Sequence, residues 1–593
     1  MPSFHLTRRV LSLSGLWNFA FLGGIDPNSF APEDVPCTRK ALVPSAFDAL
    51  PAEAGKRGAA VYRTTLDVPP GCPARLEFGA VSLWSKIFVD GVALAENACG
   101  YAPFSVDVPP APRRKRTLTV WVDNRFDAGR VPMHAEYFDF YQYGGILREV
   151  RLHILPAKGP WIESVHVTPT ARYAEGEVEI AVAFGGDGGL AAGQKLTLQF
   201  DDAPPVDAVL QSGENAFHGN AGVPAPRVWS PEAPHLHRLR VAIQNKSGLE
   251  TDDCAVRFGL RRIEARDGAL WLNGEPLRLR GYNRHEWHPN YGPCTPTLQM
   301  AADLEILRDL GCNFVRGSHY PQDQRFLDLC DELGFLVWEE NLGWQPRRRV
   351  FASPAFCRDH TRALRGMVEA SFNHPSVIIL GFLNEAETDQ DYVRPFFEES
   401  VAILRALDPS RLVSYASRFA ESDRHFDLVD LIAINVYPGW YGSEDAEEPL
   451  DLIKPHLEQC FASLDARGFG GKPVIVGEIG AEGLYGWHDR HNDFFTEEHQ
   501  AEYLRLACEA ALSHPRCSGI ALWQFSDCRT YGKGRAIQRP RTFNNKGTLD
   551  EYRRPKAAYQ AVRAAFWADA ARCKARQSSA GGASPEWPLA RAS

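Results

Sequence analysis

The run Val377-Ile378-Ile379-Leu380-Gly381-Phe382-Leu383-Asn384-Glu385 is an apolar strand that closes on an acid, and Val474-Ile475-Val476-Gly477-Glu478 repeats the pattern later in the chain. Around them, apolar runs alternate with helical patterns, the rhythm of a parallel sheet. The runs cover 277–281, 313–317, 335–338, 377–383, 412–415, 429–434, 474–477 and 520–523, eight in all. One helix reads from a Thr297 cap through Met300, Leu304, Leu307 and Leu310 to Gly311; the next carries Phe326, Leu329 and Leu333 and leaves at Gly334. From Leu277 to Trp523 is 246 residues, close to the roughly 250 of a (β/α)8 barrel. The reading is a TIM barrel over residues 261–568, followed by a disordered tail, 569–593, rich in Ala, Ser, Gly and Arg.

Ahead of the barrel the runs are short and alternate with period two. Val61-Tyr62-Arg63-Thr64-Thr65-Leu66-Asp67-Val68 and Thr117-Leu118-Thr119-Val120-Trp121-Val122 are examples before residue 158. Val178-Glu179-Ile180-Ala181-Val182-Ala183 and Lys195-Leu196-Thr197-Leu198-Gln199-Phe200 lie in 159–260. Gly, Pro and Asp break the runs, which predicts two β-sandwich domains. Gly186-Asp187-Gly188-Gly189-Leu190-Ala191 fits a dinucleotide fingerprint only formally, since no helix follows it, and a hairpin loop is the better reading.

In a barrel of this kind, chemistry sits at the C-terminal ends of the strands. Glu385 and Glu478 lie there, 93 residues apart (385 to 478), or three repeats of about 31, which predicts strands four and seven. Two carboxyls facing across a barrel mouth are what glycoside hydrolysis requires: one protonates the leaving oxygen, the other attacks the anomeric carbon or activates water. A single acid at a strand end is as often the partner of a buried arginine; the pair is more telling. His285 and His288 lack the spacing of a helical zinc motif, and neither a nucleophile elbow nor a phosphate loop is found. Neither a metal nor a cofactor is expected.

Composition narrows the rest. The 593 residues are 44% hydrophobic and 23% charged, an ordinary globular balance. A net charge of −9 disfavours nucleic acid, and no stretch is apolar for the length a membrane helix needs. Thirteen cysteines without a C-x-x-C pair read as thiols in a reducing cytoplasm.

Several motifs together resemble glycoside hydrolase family 2. They are WSPEAP (229–234), FGLRR (258–262), GYNRHE (281–286), NFVRGSHYP (313–321), LNEAE around Glu385 and GEIG around Glu478, spread over about residues 10–567. The resemblance implies a jelly-roll domain (1–158), an immunoglobulin-like sandwich (159–260) and a catalytic barrel. It also implies a retaining mechanism, with Glu478 as nucleophile and Glu385 as acid/base. Asn544-Asn545-Lys546-Gly547 is similar to the motif by which the family's β-glucuronidases hold the sugar carboxylate. FDFYQYGG (138–145) and NVYPGWY (435–441) are similar to their loops. Carried over on these motifs, the substrate-binding residues are Asp139, His319, Asn384, Asn435, Tyr437, Tyr441, Trp523, Asn544 and Lys546, with Arg541 as an extra carboxylate contact. The implied reaction is exo-hydrolysis of terminal β-D-glucuronides on a small-molecule or oligosaccharide glycoside, by a chain that forms a homo-oligomer. Ala386 and Ile479 stand where the family commonly has proline and an aromatic residue. These departures keep β-galacturonidase and β-galactosidase open, and a sugar-binding protein on an inactive barrel is the non-enzymatic alternative.

Overall fold

The computed structural model describes residues 4–26, 31–126, 139–186, 189–190, 193–208, 213–443, 445–531 and 539–579. In the first domain a four-stranded sheet (order Val10–Ser12, Val150–Ile154, Ala74–Phe78, Phe104–Val108) faces a six-stranded one. The six run Arg39–Val43, Gly15–Gly23, Ala59–Asp67, Lys115–Asp123, Trp84–Val89 and Val92–Asn97. Their pairings are antiparallel, and alternation puts Ala74, Leu76 and Phe78 into the core against Trp17, Tyr62, Leu118 and Val120.

The second domain stacks a three-stranded sheet (Trp161–Pro169, Glu177–Gly185, Ala216–Gly222) on a four-stranded one. The latter comprises Val206–Ala208, Lys195–Phe200, His237–Gln244 and Glu250–Phe258. Val178, Ile180 and Val182 point inward toward Leu196, Leu198, Leu239 and Val241, as period-two patterning requires. Of the loop expected at 186–191, residues 187, 188 and 191 lie outside the described residues.

The barrel closes with eight parallel strands: Leu279–Asn283, Phe314–Gly317, Leu336–Glu340, Val377–Asn384, Leu412–Ser417, Ile432–Asn435, Val474–Glu478 and Cys517–Leu522. Strand eight pairs with strand one, Leu279 opposite Gly519. All eight sequence runs fall on these strands, with ends displaced by a few residues. A three-stranded antiparallel flap, Ile263–Leu277, covers the barrel floor, where Leu270 and Leu272 join Leu279, Phe314, Leu336 and Ile379. Arg148 from the first domain locks onto the barrel. It donates to Glu286 Oε2 at 2.7 Å and to the carbonyls of Pro321 and Gln322, and only 4% of its side chain is exposed.

Two expectations change. Thr297 is the first helical residue, not the cap; Pro296 precedes it with no side-chain cap hydrogen bond. The final helix, Ala558–Ser579, continues past the expected end of order at 568. Its Asp569 is buried and pairs with Arg278 and Arg280, so the helix is anchored where composition suggested a tail. Residues 580–593 lie outside the described residues.

Candidate active site

Glu478 ends strand seven and Glu385 directly follows strand four, so both stand at the C-terminal mouth. Glu385 has a left-handed backbone (φ 52°), a conformation that costs a non-glycine residue about 1–2 kcal/mol. Its N–H donates to the Ala416 carbonyl on strand five at 2.8 Å, which holds it there.

The two carboxyls belong to one hydrogen-bonded network whose hub is Arg316, the fully buried penultimate residue of strand two. Arg316 Nη1 donates to Glu478 Oε1 at 2.9 Å, and Nη2 donates to Asn384 Oδ1 at 2.9 Å. Nε and Nη2 both reach Glu340 Oε2, at 3.0 and 2.6 Å. Tyr437 OH donates to Glu478 Oε2 at 2.7 Å. Asn435 Nδ2 bridges Asn384 Oδ1 and Glu385 Oε1, each at 3.0 Å, and Gln345 Nε2 donates to Glu385 Oε2 at 2.8 Å. Burial, followed by the charge of Glu385, pushes the Glu478 carboxyl up to about 8 against the pull of Arg316 and the Tyr437 hydroxyl.

Around this pair lie polar atoms that make no hydrogen bond among the described residues: Asn384 Nδ2, Asn435 Oδ1 and His319 Nε2. Buried polar atoms are normally satisfied, so such a group at a barrel mouth is a ready set of partners for hydroxyls. His319 is fixed by its other ring nitrogen, Nδ1, 2.9 Å from Glu340 Oε1, and its Nε2 lies 3.7 Å from Glu478 Oε1. Its ring stacks on Trp523 at 5.2 Å between centroids, which builds an aromatic wall beside the carboxyls.

A second, strongly charged cluster adjoins. Lys546 is fully buried; its Nζ donates to Tyr441 OH at 2.8 Å and Glu482 Oε1 at 3.2 Å. Asn544 Nδ2 donates to Asp139 Oδ2 at 2.8 Å, which ties the strand-eight loop to the first domain. Arg539 clasps Asp139 with Nε and Nη2 at 2.8 and 2.7 Å, reaches Tyr441 OH at 3.0 Å, and also pairs with Glu482. Burial opposes ionisation of Glu482, but Lys546 and Arg539 together hold its carboxyl below the ordinary value. Tyr441 and Tyr437 are in edge contact at 5.2 Å, and Tyr437 touches Glu478, so the charged cluster and the carboxyl pair are continuous.

Arg541 is placed differently from the other carried-over residues. It pairs with Glu551 at 2.9 Å and supports Asn545 Oδ1 at 3.0 Å, while Arg539 faces Asp139 and Glu482. The hub Arg316, with Glu340, Gln345, Glu482 and Arg539, was not singled out from sequence. Arg316 and Glu340 sit at strand ends, where barrel chemistry resides, and that rule would have found them.

The glycosyl hydrolases family 2 TIM barrel domain matches residues 263–570, and a second glycosyl hydrolases family 2 domain matches 161–261. This chain belongs to glycosyl hydrolase family 2. A "Beta-glucuronidase" of Streptococcus agalactiae is 27% identical over 94% of this chain and 96% of its own. A family-2 β-galacturonidase from Eisenbergiella tayi, solved with galacturonate, superposes with a TM-score of 0.84 at 32% identity, covering 95% of this chain and 98% of that one. A Bifidobacterium dentium β-glucuronidase, solved with coumarin-3-O-glucuronide, gives 0.83 at 26% identity over 95% and 97%. The family-2 chain is thus a glycoside hydrolase, and no helix among its described residues is long and apolar enough to cross a membrane.

Proposed function

We propose that this family-2 enzyme is a retaining exo-β-glycosidase that removes terminal β-D-glucuronides. Glu478 attacks the anomeric carbon while Glu385 gives its proton to the departing glycosidic oxygen, and a glycosyl ester forms on Glu478. Glu385 then takes a proton from water, whose oxygen displaces Glu478 and releases the sugar with its β-configuration. Asn384 Nδ2 holds the 2-hydroxyl. Lys546 supplies the charge for the C6 carboxylate, with Asn544, Asn435, His319, Tyr441, Asp139 and Trp523 shaping the pocket around the ring. Arg541 acts behind Asn545, and Arg539 is the second cation.

The observation that carries the uronide reading is a fully buried lysine, Lys546, beside the Arg539 guanidinium and linked through Tyr441 and Tyr437 to Glu478. Glu482 already offsets the cost of burying this ammonium, which with Arg539 forms a site where a carboxylate would meet two cationic donors. Likeness to named β-glucuronidases over nearly the whole chain supports the same sugar. A β-galacturonide is the second reading. It carries the same carboxylate and differs at C4, and the β-galacturonidase neighbour, at 32% identity, favours it. Aryl β-glucuronide, β-galacturonide, β-galactoside, β-glucoside and β-mannoside, assayed side by side, decide among these. A preference for a neutral sugar overturns the uronide reading, and turnover of none leaves the sugar-binding alternative.

Thirteen free thiols suit a reducing cytoplasm. Sedimentation of the purified chain tests the homo-oligomer that the family resemblance implies.

A further inference from the structure

Away from the catalytic carboxyls, three side chains of three different metal-binding kinds converge. His456 and Cys460 lie four residues apart on the helix Ile453–Ala466, so they share one face. Glu421 comes from the segment that follows strand five. A carboxylate oxygen of Glu421, a ring nitrogen of His456 and Cys460 Sγ all lie within 4.8 Å of one another. Gln459 on the same helix donates to Glu421 Oε2 at 3.0 Å and holds the carboxylate over this face.

We propose that Glu421, His456 and Cys460 bind one divalent zinc-type cation. The geometry carries the argument. Zn–N and Zn–S bonds of about 2.0–2.1 and 2.3 Å at a tetrahedral angle set nitrogen and sulfur about 3.5–3.6 Å apart. Cys460 Sγ and His456 Nε2 are 3.6 Å apart. That separation suits a weak S–H···N contact and equally a pair of ligands on one ion. The mixed thiolate, imidazole and carboxylate set matches a borderline cation and disfavours magnesium or calcium, which take oxygen. Cys460 is buried. A thiol ligates as thiolate, so the ion displaces the Cys460 proton to solvent. The fourth position is left for water, and the ion clips the segment after strand five to the helix before strand seven.

The test uses the full chain, stripped with a chelator and titrated with Zn²⁺ against a chromophoric competitor, and separately with Co²⁺ as an optical probe. About one equivalent of Zn²⁺ should bind, and Co²⁺ should develop thiolate-to-cobalt charge-transfer absorption. Cys460→Ser should abolish that absorption, and His456→Ala or Glu421→Gln should weaken Zn²⁺ at least about tenfold, no less than loss of an outer partner costs a metal site. Zn²⁺ should raise the Tm of the parent but not of Cys460→Ser, and unchanged glycosidase turnover in that variant shows an intact fold. Cys72→Ser, at a partly accessible thiol elsewhere in the chain, should bind as the parent does. A parent that binds no stoichiometric Zn²⁺, absorption that survives Cys460→Ser, or absorption lost in Cys72→Ser overturns the site.

Discussion

Replacing Lys546 by methionine separates substrate recognition from structural support. Methionine keeps much of the lysine stem's volume against Tyr441, whose ring centre lies 4.7 Å from Nζ, and Trp440 at 5.4 Å, so no large cavity opens. Glu482, which loses Lys546, still has Arg539 and Asn545 as partners and is not stranded as a lone buried charge. What disappears is one ammonium in a fully buried site. A hydrogen bond to a charged group is worth about 1.5–3 kcal/mol, or roughly 10- to 150-fold.

The expected result is a fall of that size in kcat/KM on aryl β-glucuronide, with Arg539 setting the upper limit because it remains. The matching β-glucoside has no carboxylate to lose, and its kcat/KM should change by less than about threefold. Both substrates are assayed by release of the aryl alcohol, with far-UV circular dichroism to confirm the fold. Equal losses on the two substrates refute the reasoning and make Lys546 a support of the loop around 544–547. A parent that prefers a neutral galactoside refutes the uronide reading while leaving the two glutamates untouched.

Glu478→Gln removes the attacking charge at nearly constant volume and should lower kcat by at least about 10³-fold; activity within tenfold of the parent rules Glu478 out as nucleophile. Glu385→Gln removes the like charge that is the second cause of the raised Glu478 value. The acid limb for trapping the glycosyl ester from an aryl glycoside with a good leaving group should therefore move to lower pH, and an unmoved limb means the carboxyls are not coupled. Arg148→Met leaves Glu286 buried without its ion-pair partner and should cost about 3–5 kcal/mol in urea unfolding; a cost below about 1 kcal/mol would mean the domain contact does not depend on this pair. NMR of the first sugar released from a β-glycoside should show the β-anomer, and an α-anomer contradicts retention.

The barrel was legible because its strands are short, mostly apolar runs that alternate with helix signals, and the acids at 385 and 478 sit where two of those runs stop. The long-range partners were not. Arg539 and Arg541 lie in the same short stretch, and which of them faces Asp139 depends on a turn in which Arg541 itself has a left-handed backbone (φ 61°). Asp139 comes from about four hundred residues earlier, and no local pattern announces that contact. The extent of the terminal helix is hidden from sequence for the same reason. Its Ala- and Arg-rich composition looks solvated, but Asp569 meets Arg278 and Arg280 at the barrel wall, nearly three hundred residues away in sequence. Periodicity reports which face of an element is apolar and says nothing of which distant charge will meet it.

Charge placement also decides how the two glutamates divide their roles. Burial and the charge of Glu385 push the Glu478 carboxyl up to about 8. Arg316 stands 2.9 Å from Glu478 with a full positive charge, and Tyr437 adds a hydroxyl donor at 2.7 Å. Among the described residues the Glu385 carboxylate accepts from two amide nitrogens, of Asn435 and Gln345. Two unit charges about 3 Å apart at an effective dielectric of 20 attract by roughly 5 kcal/mol, far more than an amide donor supplies. Arg316 and Tyr437 are thus the donors that favour the anion an attacking carboxylate needs at Glu478, against burial and the charge of Glu385. Once Glu478 is esterified in the proposed mechanism, its charge is gone. Arg316 keeps Glu340 and Asn384 throughout, so the hub stays in place while the charge in front of it changes.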